Sequence, residues 1–209
     1  MGVTTWLDRI TDESNLWLSA TKAEEAKDFQ SAAALYLEDA TDCVRRGSRV
    51  RAALSCYCAA DCLSRSGTTL EAKRLFQEAG RMYSTIADHG VSGSIREGIW
   101  ALQRAYGCYI LAGDLKESEA VHESFRLLAR RANPFERGSP WLEMPKVQPA
   151  FDGGPEPKRV EPTGDAKAAM SKFLDMRTHY GPDWNGGMPR SKRVGGMSDE
   201  SESFVSQLG

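Results

Sequence analysis

The sequence predicts an all-α protein: antiparallel helical hairpins stacked as a solenoid, followed by a largely irregular C-terminal arm. Three observations carry this. All nine prolines lie at Pro134 or later, and proline costs about 3 kcal/mol in a helix interior, so residues 1–133 are free to be helical throughout. Glycine with a neighbouring Ser, Thr or Asp recurs at helix-length intervals in that stretch. The β-branched alternation that marks strands is missing there. The chain therefore divides into a helical repeat domain, 1–133, and a Pro/Gly-rich arm, 134–209.

The punctuation sets the elements in order. Gly47-Ser48, Ser66-Gly67-Thr68, His89-Gly90 to Ser92-Gly93 and Gly113-Asp114 each separate two periodic stretches. Glycine just past a helix and Ser, Thr or Asp just before the next are stop and start signals. They place helices at 4–26, 29–46, 49–66, 69–89, 93–112 and 115–132. Short connections make neighbouring helices antiparallel.

A repeat runs through these helices. "KDFQSAAALYLEDA" from Lys27, "GTTLEAKRLFQEAG" from Gly67 and "GDLKESEAVHESFR" from Gly113 each carry a small residue five places on: Ala32, Ala72 and Ser118. A ring follows four later, at Tyr36, Phe76 and His122. A small residue lets two helices approach closely, and the ring fills the gap one turn along the same face. Ala79 adds a further small residue to the second copy, and Ala59, Ala60 and Leu63 supply packing positions on the helix before it.

This pattern resembles the tetratricopeptide repeat. The match is good over 49–82, looser over 11–46 and loosest over 96–130, where Ser118 and His122 depart from alanine and aromatic. Successive copies lie 40 and 46 residues apart, against about 34 in the standard repeat. The longer helices look more like the variant repeats of the SNAP family, the soluble adaptors of membrane fusion. The resemblance implies architecture; no short motif carries over a function.

The stretch "CYCAADC", residues 56–62, holds three of the five cysteines. Cys56 shares the packing stripe of Ala59, Ala60 and Leu63 and reads as a small buried hydrophobe. Cys58 and Cys62 share another face with Arg51 and Arg65, expected to meet a groove or solvent. Nearby arginine lowers a thiol's pKa, which makes these two candidate reactive thiols. Two thiols fall short of the three or four protein ligands of a zinc site, and Cys43, Cys108, His89, His122 and His179 are scattered, so no metal is expected.

No glycine-rich phosphate loop is present, since "SGSIREG" lacks a following Lys-Ser or Lys-Thr, and no Ser, His and Asp arrangement stands out. No catalytic residue and no cofactor are expected, and the chain reads as a non-enzyme. The formal charge of −2 and pI near 6.0 argue against nucleic acid as a partner. No apolar run reaches the roughly 18 residues of a membrane span, and MGVTTWLDRITDES has no basic segment followed by an apolar one, so no secretion signal is expected. Five cysteines without an export signal suggest reduced thiols and a cytoplasmic location. Any membrane association would come through a partner.

"RRGSRVR" gathers Arg45, Arg46, Arg49 and Arg51 around one turn. It reads either as a solvated turn with helix-end charge compensation or as a docking patch for an acidic partner. The arm holds ten of the nineteen glycines. "DAKAAMSKFLDMRTHYG" within it predicts a helix near 165–180, capped by Asp165, with Met170, Phe173, Leu174 and the Arg177 stem on one side. "MSDESESFVSQLG" predicts a second near 198–208, with Phe204, Val205 and Leu208 as anchors. Trp141, Leu142, Phe151 and Trp184 add further anchors. Such spacing suits an arm that wraps on a partner or on its own solenoid. The expected function is a non-catalytic interaction adaptor or accessory subunit of a larger assembly, docking protein partners through the solenoid face and the arm. Two alternatives remain: a SNAP-like trafficking adaptor, which would bind a coiled-coil bundle and an AAA-type ATPase, and a thiol-based regulatory sensor.

Overall fold

The computed structural model describes residues 15–90, 94–132, 138–147 and 160–180. Among them the chain forms seven α-helices, one 3-10 turn and no strand. These are α1 (Leu16–Glu25), α2 (Phe29–Arg45), α3 (Arg49–Arg65), α4 (Thr69–Gly90), α5 (Ile95–Ala112), α6 (Leu115–Ala129) and α7 (Gly164–Tyr180), with the 3-10 turn Pro140–Leu142 before α7. Each helix from α1 to α6 packs on the next, and α7 returns across the chain to pack on α2. The result is a stack of three antiparallel hairpins, α1/α2, α3/α4 and α5/α6, held on one side by α7.

The turn inside each hairpin repeats in three dimensions. Gly67 and Gly113 take the left-handed conformation, with φ of 84° and 77°. The equivalent place in the first hairpin is Lys27, which adopts φ 61° without being glycine. A left-handed residue with a Cβ costs roughly 1–2 kcal/mol. Asp28 and Asp114 then cap the following helices, accepting from the backbone N–H of Ser31 and Glu117. The chain reversal is thus the same in all three copies even where the residue suited to it is missing.

Alanine makes the helices close. Ala32, Ala33, Ala52, Ala53, Ala59, Ala60, Ala72, Ala79, Ala101 and Ala105 are fully buried. The rings sit beside them in pairs, one from each helix of a hairpin. Trp17 meets Tyr36 at 5.0 Å between centroids, and Tyr57 meets Phe76 at 5.6 Å, both edge to face. In the third hairpin Tyr106 meets His122 at 6.0 Å in a tilted arrangement, and His122 is exposed. The weakest copy of the sequence repeat is also the loosest ring pair. Gly80 marks the tightest crossing, because a Cβ there would lie 2.9 Å from the Tyr109 ring.

Two expected features are corrected. The first helix starts at Leu16, where the Asn15 side chain accepts from the Leu18 N–H; the part expected from residue 4 lies outside the described residues. Helix α7 is capped by Thr163, whose hydroxyl accepts from the Ala166 N–H, and Asp165 falls inside the first turn. A threonine flanked by Pro162 and Gly164 supplies the cap two residues earlier than the acidic residue suggested.

Helix α7 buries Ala166, Ala169, Met170 and Phe173. Its far end is fixed by a buried ion pair: the Arg177 Nε donates to a Glu78 carboxylate oxygen of α4 at 2.7 Å. Arg81 donates to the other Glu78 oxygen at 3.2 Å. At its near end Gln30 of α2 donates to the Glu161 carbonyl and accepts from the Thr163 N–H, while Val160 rests against Gly67.

Two substitutions test this account. Lys27→Gly is expected to raise stability by about 1 kcal/mol, by removing the left-handed strain. Gly80→Ala is expected to lower it by roughly 1–3 kcal/mol through overpacking against Tyr109. Urea midpoints at constant slope read both, and a neutral Lys27→Gly would count against the strain argument.

Candidate functional site

A cleft of about 780 Å³ opens between α3 and α5 on the face away from α7. Val50, Leu54 and Tyr57 of α3 form one wall, and Trp100, Arg104 and Leu111 of α5 the other. Tyr83 of α4 lies beneath, edge to face with Trp100 at 5.7 Å. The segment 138–147 closes one rim with Pro140, Met144, Lys146 and Val147. Val50, Leu54 and Trp100 remain 47%, 40% and 36% exposed, a cluster of large apolar side chains that a folded chain ordinarily covers.

The rim segment is held by one side chain. The Gln103 amide donates to the Trp141 carbonyl at 2.9 Å and to the Glu143 carbonyl at 2.7 Å. Gln103 stands where the repeat offset would put the ring carried by Tyr57 in the previous hairpin. A ring there would pack on the next helix; an amide instead ties down irregular backbone, which needs hydrogen-bond partners. Arg96 stacks over the Trp141 ring at 5.2 Å, and Arg104 over Trp100 at 5.9 Å.

The residues singled out in the sequence separate into several places. Trp141 and Leu142 are half-buried against the core beside α5. Phe173 is fully buried and Leu174 half-buried, both committed to this chain's own helices. The arm was expected to wrap on a partner or on its own solenoid; α7 packs on α2 and is tied to α4 by the Arg177–Glu78 pair. Phe151, Trp184, Phe204 and Leu208 lie outside the described residues.

The arginine turn stays largely exposed, with one arginine reaching a buried carboxylate. Arg51 donates to both oxygens of buried Asp39, at 3.2 and 2.9 Å, and stacks on Trp17. Ser55 donates to the same carboxylate at 2.6 Å. Arg45 and Arg46 pair with Asp42 at the exposed end of α2, and Arg49 is half-exposed at the start of α3. Asp39 thus spans two hairpins, a role that its place on an amphipathic helix did not reveal.

The thiols correct the expectation more sharply. Cys62 is fully buried and Cys58 half-buried, so the face they share does not open to solvent. Helix α3 is flanked by hairpins on both sides and buries more than one stripe. Burial pushes both thiols up to about 12, with Glu24 and Asp61 adding to the shift. Arg65, expected to activate them, instead pairs with Glu24 and stacks on Phe29. Cys108 beside the cleft is pushed up to about 12 and Cys43 to about 11, again by burial. Among the described residues no cluster of His, Cys, Asp or Glu could hold a metal ion, and no helix is long and apolar enough to cross a membrane.

No family model, curated protein or solved structure matches the chain. Its reading rests on its own geometry.

A pH prediction follows from the thiols. Their ordinary value is 9.0, so between about pH 9 and 12 the unfolded chain has already lost protons that the folded chain keeps. Stability is expected to fall as pH rises through that window. Urea denaturation at pH 7.5 and 10.5 checks the sign. At pH 8 a thiol-specific reagent should label native Cys56 and Cys62 far more slowly than the urea-unfolded chain, and rapid native labelling of Cys62 would refute its burial.

Proposed function

We propose that the chain is a non-catalytic adaptor or accessory subunit that docks a protein partner in the cleft between α3 and α5. The carrying observation is the convergence of Val50, Leu54 and Trp100, large, apolar and exposed, over a floor made rigid by Tyr83. Apolar anchors surrounded by a polar rim are the composition of a protein-binding surface. Helical-repeat stacks commonly offer such a face to a helix or extended peptide. The paired rings at a 40-residue interval favour a tetratricopeptide-like solenoid of the longer, SNAP-like type. The trafficking version of this reading would make the partner a coiled-coil bundle together with an AAA-type ATPase.

The non-catalytic reading is supported by the cleft's chemistry. Among the described residues its lining is mostly apolar, with Arg104, Lys146 and Glu143 as charged groups, and its thiol, Cys108, is held protonated by burial. The same effect at Cys58 and Cys62 weighs against the thiol-sensor reading. Five cysteines without a disulfide agree with a reducing, cytoplasmic location.

The test compares affinity purifications from native cells using the wild-type chain and Leu54→Asp. Leu54 is exposed, so the variant should keep the wild-type circular dichroism and melting curve. A partner set present with wild type and reduced at least about ten-fold with Leu54→Asp is expected, as for loss of a hot-spot anchor. An unchanged set would move docking away from this cleft.

A further inference from the structure

We propose that the cleft is occupied in cis by this chain's own C-terminal segment, residues 198–208, which would compete with an outside partner. The proposal rests on the reading of the cleft as a docking site and adds its regulation. Three observations carry it: the charge left open at the cleft, the chemistry of the segment, and the place from which the chain departs.

Arg45, Arg46, Arg51, Arg65, Arg81, Arg126 and Arg177 each pair with a carboxylate. The cations by the cleft, like Arg74, Arg130 and Arg131 elsewhere, form no ion pair among the described residues. Arg96 and Arg104 stack on Trp141 and Trp100, and no ion pair ties either of them, or Lys146, to a carboxylate of the described residues. Among the described residues Glu143 is the sole acidic side chain in the lining. An apolar floor beside Arg104 and Lys146 suits an acidic segment carrying bulky apolar residues.

Residues 198–208 read SDESESFVSQL. Asp199, Glu200 and Glu202 come first, and Phe204, Val205 and Leu208 follow. In a helix the last three lie on one side, at the i, i+1 and i+4 places that helix-in-groove recognition uses. No basic residue interrupts the segment.

The chain also departs from the right place. Leu174, Arg177 and Thr178 at the end of α7 line one pocket together with Tyr109 of α5 and Glu117 of α6. Helix α5 contributes to both places, with Tyr109 in that pocket and Trp100 and Arg104 in the cleft. The link from Tyr180 to Ser198 can extend to about 60 Å. A tethered ligand with that reach acts at an effective concentration no free peptide matches.

The experiment uses the full chain with Phe204→benzoylphenylalanine. After irradiation, digestion and mass spectrometry, cross-links within one chain to peptides holding residues 50–57 or 100–111 are expected. Adding Leu54→Asp and Arg104→Glu, both at the surface, should lower their yield about ten-fold or more with the circular dichroism unchanged. Cross-links to other parts of the chain, or none, overturn the proposal. Cross-links between two chains that grow with concentration also overturn it and give the cleft to a second copy. If cis cross-links are missing while Leu54→Asp still loses its partners, only self-occupancy falls. If Leu54→Asp keeps its partners, the docking reading falls as well.

Discussion

Close approach of helices across buried alanine is the constraint on which the rest of this structure depends. Alanine contributes little apolar area of its own, so the seam does not stabilise by bulk. It works by bringing backbones near enough for each ring of Tyr36 and Phe76 to reach the ring opposite. Interiors at native packing density tolerate neither a gap nor an extra methyl at such a crossing. The same closeness sets where Gly80 must stand against Tyr109, and it forces Asp39 and Glu78 to find their cations inside the stack.

Much of the architecture was legible because it is written locally. Proline exclusion, the turn glycines and the small-residue-then-ring pattern all act within one or two helical turns, and they located α2 to α6 to within a few residues. What escaped was non-local. Glu78 and Arg177 are 99 residues apart, and no spacing rule joins them. Gln103 looked like one more polar residue on an amphipathic helix, and only the path of the rim segment gives it work. Cys62 was misplaced because a helical wheel counts one buried face, whereas a helix inside a solenoid is enclosed from two sides. Lys27 was hidden for the opposite reason: the turn it occupies is enforced by its neighbours against its own preference.

The two faces of the stack are treated differently. Helix α2 receives α7, whose end is pinned to α4 by a buried ion pair. Among the described residues, α5 receives a short irregular segment on the other face, bonded by one amide and stacked on one arginine. Of the two uses expected for the arm, a partner or its own solenoid, Phe173 and Leu174 serve the second. The lightly covered face leaves Val50, Leu54 and Trp100 exposed. One chain thus carries both a structural brace and an open groove, and residues of the same type, aromatic and aliphatic, serve the two ends according to what else covers them.

The brace has a consequence for how the protein comes into being. Gln30 on α2 waits for its partner at Glu161, 131 residues further along. At about 5–20 residues per second, a ribosome needs roughly 7–26 s to deliver it. Throughout that interval the first hairpin exists without its cover, its apolar flank open to chaperones and to neighbouring nascent chains. The order of synthesis therefore creates a window in which the stack is present and the brace is not, and whatever meets α2 first must later give way to α7.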